Sequence, residues 1–239
     1  MKVLVQKNYE ELSKKAAEII KAQLAEKPDS VFGLATGGTP GGTYEEIIRM
    51  YKAGEVDFSR ATAFNLDEYY PIKKTSDQSY YYFMQKNLFD HVNFAKTFIP
   101  NGEAADAATE CAAYDEKIAA HGGIDLQILG IGGNGHIGFN EPGDEFIAAT
   151  HHTPLDESTI KANARFFADV SEVPRHSLTM GIGTIMQAKK IILLASGAGK
   201  ADIIQKTVRG AITPQVPASV LQLHPNVTII ADTEAGKLV

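Results

Sequence analysis

Several absences narrow what this 239-residue chain can be. It holds one cysteine, Cys111, so no internal disulfide can form. That thiol sits among alanines in a helical pattern, with no base or glycine turn beside it, which fits buried packing in a reducing compartment better than a nucleophile. No apolar run approaches the roughly 20 residues that span a bilayer. Met1 to Val5 is a short strand-like run followed by polar residues, unlike a secretory signal. The expected location is therefore the cytoplasm. Positive charge is in deficit, with 23 Lys and Arg against 29 Asp and Glu, which argues against a general nucleic-acid or anionic-membrane binder but leaves room for a local basic pocket. His151 and His152 are adjacent yet have no acid or cysteine at a metal-binding spacing, so no metal is expected. Internal repeats and low-complexity linkers are missing as well. A hydrophobic content of 44% in this length suffices for a single domain spanning residues 1–239, with or without a small lid.

What is present is an alternation of strand and helix signals. Strands are expected at Lys2 to Val5, Val31 to Ala35, Ala61 to Leu66, Thr97 to Ile99, Leu126 to Leu129, Ile191 to Ala195 and Val227 to Ala231. Helices are expected after the Asn8 cap, with a stripe of Leu12, Ala16, Ile19, Ile20 and Leu24, and at Thr43 to Lys52, Ser79 to His91, Asp106 to Ala120 and Lys200 to Val208. Repeated β-loop-α units imply an α/β fold: a mostly parallel sheet flanked by helices on both faces, three-layered and Rossmann-like. Ligands of such sheets bind outside the carboxyl ends of the strands.

Four loops meet at that edge. Thr36-Gly37-Gly38-Thr39-Pro40-Gly41-Gly42-Thr43 offers backbone N–H groups, hydroxyls and the positive end of the next helix, as a phosphate cradle would. It lacks the Lys-Ser/Thr ending of a nucleotide P-loop and the spacing of a dinucleotide fingerprint, so a nucleotide is not expected; a bare glycine turn is the plainer alternative. Asn65-Leu66-Asp67-Glu68-Tyr69-Tyr70 puts two acids at a strand end, where a partly desolvated carboxylate could act as a general base or simply cap a turn. Gly130 to Gly143 is glycine-dense and carries His136 and Glu141, a proton-transfer group and a group able to orient or charge it. Ser196-Gly197-Ala198-Gly199-Lys200 places a cation at a helix start, unfavourable unless an anion is present. Arg165, flanked by aromatics, is a further candidate for bidentate phosphate binding, though alone it is more often a surface arginine.

Together these pieces resemble the glucosamine-6-phosphate deaminase (isomerase) family over nearly the whole chain. The resemblance is carried by Ala35-Thr36-Gly37-Gly38-Thr39-Pro40, Phe64 to Tyr69, Ser79 to Met84, Gly135 to Pro142, Ala164 to Phe167 and Leu221 to Pro225, in matching order and separation. It implies that Asp67 moves a proton between C2 and C1 of the opened sugar and that His136 assists ring opening. Glu141 and Asn134 then orient and support His136. Phosphate is held by Thr36, Gly37, Gly38, Thr39, Arg165 and Lys200, with no cofactor and no metal. The segment 155–178 resembles a mobile lid, and the expected partner is a small sugar phosphate rather than nucleic acid or membrane.

Two departures from the longer members of the family bear on this. They carry an aspartate where this chain has Asn134, which shifts the burden of charge near His136 onto Glu141. They also use basic residues after the His-Glu loop, and a longer C-terminal tail, to bind an allosteric sugar phosphate. Asp144 to Pro154 contains no Lys or Arg. The implication is a monomer without activation by N-acetylglucosamine 6-phosphate, a homo-oligomer being the alternative. A 6-phosphogluconolactonase-like hydrolase shares the architecture and a Gly-His loop, and a sugar-phosphate sensor without catalysis would keep the pocket. Phe139-Asn140-Glu141-Pro142 and Leu66-Asp67-Glu68-Tyr69 match the deaminase better.

Overall fold

Strands that must be covered on both faces are apolar along their whole length, and that is how the central strands here are built. The computed structural model describes residues 1–164, 167 and 169–239. Its main sheet contains β1 (Lys2–Gln6), β2 (Val31–Leu34), β3 (Thr62–Asn65), β5 (Lys96–Phe98), β6 (Leu126–Leu129), β9 (Lys190–Ala195) and β10 (Val227–Asp232). The order is β1-β10-β9-β6-β2-β3-β5, and every neighbouring pair is parallel. Helices α1 (Tyr9–Glu26), α2 (Gly38–Lys52) and α3 (Tyr80–Asn87) cover one face. There Leu12, Ile20, Tyr44, Ile47 and Met84 pack on Phe32, Leu126 and Leu194. On the other face lie α4 (Ala107–Ala120), α6 (Ile182–Met186) and α7 (Ala201–Arg209), with Tyr114, Ile185, Ile203 and Ile204 on Phe64, Leu129 and Ile229. The three-layer α/β architecture expected from the sequence is thus the one observed.

From β2 the chain winds outward through β3 to β5, whereas from β6 it winds the other way through β9 to β10. The crevice beyond the carboxyl ends of β2 and β6 is therefore the topological switch point, where such sheets bind ligands. At this junction β2 and β6 pair Phe32 with Leu126 and Gly33 with Gln127. The Gln127 side chain folds across Gly33, into the space a Cβ would occupy. Both residues are fully enclosed in the sheet.

Three differences from the sequence-based expectation matter for the site. First, a second sheet exists: β4 (Asp67–Tyr70), β8 (His176–Thr179) and β7 (His151–Pro154), antiparallel in the order β4-β8-β7. Asp67 to Tyr70, expected as a loop, is its first strand. Leu66 is the hinge between the sheets, its N–H bonded to Leu34 O and its carbonyl to Met180 N. Second, α2 begins at Gly38 rather than Thr43. The glycines that suggested a longer loop serve close packing instead: a Cβ on Gly42 would lie 2.5 Å from Ser13 Oγ and 2.9 Å from Tyr9 Oη of α1. Only Thr36 and Gly37 remain outside the helix, and Gly37 has φ 99°, the left-handed region. Third, the segment 155–178 contains a short helix, α5 (Glu157–Asn163), capped by Asp156. It sits on a small apolar cluster of Tyr69, Phe139, Leu155, Ile160 and Val173. The α3 region also ends earlier than expected, at Asn87, and continues as a 3-10 turn over Phe89–His91.

Candidate active site

The four loops do converge. A cavity of about 780 Å³ at the switch point is bordered by Thr36 to Pro40 after β2, Asp67 after β3, Gly130 to Gly138 after β6, and Ser196 and Lys200 after β9. Residues of α5 close its remaining side.

Asp67 and Glu68 are adjacent in sequence but point to opposite faces of β4, as strand periodicity requires. Glu68 is 2% exposed and accepts three backbone N–H bonds, from Tyr69, Tyr80 and Tyr81, at 2.8 to 2.9 Å. It caps the start of α3 and is not part of the cavity wall. Burial pushes its carboxyl up to about 7, against the pull of those N–H groups. Asp67 faces the cavity, 6% exposed, and no hydrogen bond from the described residues reaches its carboxylate. Burial, with the neighbouring Glu68 charge adding to it, pushes Asp67 up to about 8. A carboxylate so poorly solvated is a strong base once deprotonated.

Opposite it stands a dyad. His136 Nδ1 lies 2.9 Å from Glu141 Oε2, and Asn134 Nδ2 donates to the same oxygen at 2.7 Å. Asn134 Oδ1 accepts the His136 backbone N–H at 3.1 Å, so Asn134 steadies the carboxylate and the loop rather than the ring. Thr159 Oγ1, from α5, donates to Glu141 Oε1 at 2.6 Å. Burial works to raise the Glu141 carboxyl, but His136, Thr159 and Asn134 outweigh it and hold the group below the usual range. Pinning Nδ1 in this way leaves Nε2 as the atom available to a ligand.

Glycine makes both placements feasible. The imidazole lies across Gly132, where a Cβ would sit 2.5 Å from Nε2. At Gly138, φ is 59° and a Cβ would come within 2.8 Å of Thr179 Oγ1 and 3.7 Å of Asp67 Oδ2. The loop is fastened to the small sheet there, Phe139 N–H donating to Thr179 Oγ1 at 3.0 Å. Both sheets are thus needed to face Asp67 toward the dyad.

At the cavity's far end, the N-terminus of α2 has no side-chain cap, so its backbone N–H groups are open to an acceptor. Thr36, Gly37, Gly38 and Thr39 all border the cavity. Lys200, in a 3-10 turn after Gly197, also borders it and donates to Ile131 O at 2.6 Å. Arg165 lies outside the described residues. Cys111 is buried in α4, its thiol pushed up to about 11 by burial, and plays no part in the cavity.

A family model for glucosamine-6-phosphate isomerases/6-phosphogluconolactonase matches residues 5–230. The chain belongs to this family. Among curated members it is 57% identical over 241 residues to the glucosamine-6-phosphate deaminase of Thermoanaerobacter pseudethanolicus, covering 100% of this chain and 95% of that one. With the deaminase of Clostridium perfringens it shares 54% over 240 residues, covering 100% and 99%. Among solved structures, a monomeric glucosamine-6-phosphate deaminase superposes with a TM-score of 0.97 at 46% identity, both chains covered completely. The 6-phosphogluconolactonase of Trypanosoma brucei superposes at 0.75 with 21% identity over 99% and 97% of the two chains, a likeness of fold alone.

Sequence reasoning missed Thr159, whose hydroxyl completes the Glu141 shell, and Tyr80 and Tyr9, which border the cavity. Tyr9 Oη donates toward Gly38 O, 2.9 Å away, and accepts the Gly42 N–H at 2.8 Å, bracing the first turn of α2. Nothing in the spacing of these residues signals such roles.

Proposed function

We propose that this member of the family isomerises and deaminates glucosamine 6-phosphate to fructose 6-phosphate and ammonia. The observation that carries the reading is Asp67, a buried carboxylate without hydrogen-bond donors among the described residues, facing the same cavity as the His136–Glu141 dyad. His136 Nε2 moves the proton from O1 to O5 as the ring opens, while Glu141 supports the transient imidazolium. Asp67 then takes the C2 proton and returns it to C1 while a proton passes from the amino group to O1, leaving a ketose imine at C2. Water adds there and ammonia leaves, so glucosamine 6-phosphate and water balance against fructose 6-phosphate and ammonia. Every step is a proton transfer, or an addition to or elimination from carbon that proton transfer assists, for which imidazole and carboxylate suffice without a cofactor.

The uncapped start of α2 with Thr36, Gly37, Gly38 and Thr39, together with Arg165 and Lys200, holds the phosphate. Binding that remote group orients the reacting carbons. The segment 155–178 acts as a lid over the sugar. The protein works as a cytoplasmic monomer in amino-sugar breakdown. No helix among the described residues is long and apolar enough to cross a membrane, which fits that setting. N-acetylglucosamine 6-phosphate does not activate it, since no Lys or Arg lies between Asp144 and Pro154. Sigmoidal kinetics relieved by that compound would contradict this. A lactonase has no use for a base over C2, which leaves the costly burial of Asp67 without a purpose under that alternative.

The test is incubation with glucosamine 6-phosphate without added metal or nucleotide. Ammonia and fructose 6-phosphate should appear in equal amounts and vanish in Asp67→Asn. A folded protein that binds the sugar phosphate but yields neither product would return the weight to the lactonase and sensor alternatives.

A further inference from the structure

Helix α5 touches the site in two places with side chains one turn apart. Thr159 donates to Glu141 Oε1 at 2.6 Å, and its hydroxyl is 3.4 Å from His136 Nδ1. Asn163, four residues on and therefore on the same helix face, donates Nδ2 to Tyr69 Oη at 2.9 Å. The Tyr69 and Tyr80 rings pack at 4.8 Å between centroids. Tyr80 and Thr36 both border the cavity. A chain of contacts thus runs from the cavity wall that Thr36 and Tyr80 share, through Tyr69 and Asn163 to α5, and from α5 through Thr159 to the dyad.

Two of these contacts, the bonds of Thr159 and Asn163, are made by α5 itself. The helix has only seven residues, too few to hold its shape by propensity alone. Its position is therefore set by what its side chains touch. Of its residues, only Thr159 and Ile160 are buried. A helix seated by one hydroxyl on the dyad and one amide on a tyrosine transmits a displacement at either seat to the other.

We infer that Thr159 and Asn163 are positioning residues through which α5 couples occupancy of the Thr36 loop by a phosphate group to the alignment of Glu141 and His136. The inference rests on the proposed function for the identity of the anion, and it assigns α5 a task beyond covering the sugar. Phosphate at the Thr36 loop restrains Thr36 and Tyr80, and through Tyr69 and Asn163 this holds α5 in the position where Thr159 is bonded to Glu141. The remote phosphate then contributes to catalysis by arranging the dyad as well as by orienting the sugar.

Two measurements test this. In steady-state kinetics on glucosamine 6-phosphate, Thr159→Val should lower kcat about 10-fold or more, the scale of a lost partner behind a functional group. Its KM should stay within about 2-fold, and Thr159→Ser, which keeps the hydroxyl, should recover most of the loss. Thr159→Val with wild-type kcat, or Thr159→Ser as impaired as Thr159→Val, would overturn the role of the hydroxyl. In the second measurement, nitrogen NMR of the His136 ring is followed as inorganic phosphate is added to saturation. The wild-type resonances should shift, and Asn163→Ala should lose most of that shift. No shift in the wild type, or an equal shift in Asn163→Ala, would overturn the coupling. This readout needs no turnover. A wild-type protein that shows the Asn163-dependent shift yet releases no ammonia from glucosamine 6-phosphate would keep the coupling and overturn the proposed reaction instead.

Discussion

Asp67 borders the cavity and Glu141 stands behind His136, which borders the same cavity; the two share one side-chain chemistry, yet their surroundings push them in opposite directions. Glu141 receives Asn134, Thr159 and His136 and is held below the usual carboxylate range despite its burial. Asp67 receives no donor from the described residues, stands beside the Glu68 charge, and is pushed up to about 8. One is kept charged so that it can support a neighbouring cation; the other is kept hungry for a proton. The difference arises from secondary structure: a loop that brings Asn134 and His136 to Glu141 under the Thr159 hydroxyl of α5, against a strand that holds Asp67 out where only its neighbours' surfaces meet it.

Asp67→Asn breaks the comparison most severely and should lower kcat by about 10³-fold, within the range for a lost general base. It should also stabilise the protein at high pH. With a folded pKa of about 8 against an ordinary value of 3.8, Asp67 contributes stability that is complete below 3.8 and lost as the pH rises toward 8. The melting temperature of Asp67→Asn relative to the wild type should therefore climb between pH 5 and pH 9, a trend that a flat difference would contradict. Glu141→Gln comes next. It keeps the shape and removes the charge that the proposed mechanism requires, so kcat should drop about 10²-fold. Near-full turnover would remove Glu141 from the mechanism. Because the Glu141 carboxyl is lowered, its stabilising contribution is present above its unfolded value and fades as the pH falls. The variant should therefore lose least, relative to the wild type, in acid.

The profile of kcat/KM against pH reads Asp67 in the free protein. It should rise with pH, reach half its plateau near 8 and level off above that; a limb near the ordinary aspartate value would mean that Asp67 is charged before substrate arrives. Smallest in its catalytic effect is Glu68→Gln. Removing the neighbouring charge should move that limb toward lower pH by less than about one unit. Loosening the three N–H bonds at the start of α3 should cost about 1–3 kcal/mol in denaturant unfolding. An unmoved limb would show that Glu68 is already neutral there.

The same contrast explains what could be read from the residues. The parallel strands announce themselves as apolar runs such as Val31–Leu34 and Leu126–Leu129, fully buried as expected. The small sheet does not. His151–Pro154 is partly or fully exposed along its length, and Asp67–Tyr70 begins with two acids, so neither carries the alternation of a covered strand. Asp67, His136 and Glu141 were visible because their residue types stand out at strand ends. Thr159 was not, since a threonine in a seven-residue helix looks like any surface residue until Glu141 is found beneath it. The start of α2 was misplaced because glycine signals a loop locally. Here it answers a distant demand, the room that Tyr9 and Ser13 need against Gly42.

The amide of Gln127 lying across Gly33 has a further consequence. A strand that is apolar on both faces can slide one residue past its neighbour and still be buried, so burial alone specifies alignment weakly. At the junction of β2 and β6 one large polar side chain occupies the one notch in the facing strand, and no other pairing of these two strands offers it a glycine. A slip would offset the Thr36 loop from the His136 loop by roughly 3.3 Å, about the length of a hydrogen bond. Gln127 and Gly33 thus act as a key and its slot, setting the spacing between the anchor of the substrate and the imidazole that works on it from the interior of the sheet.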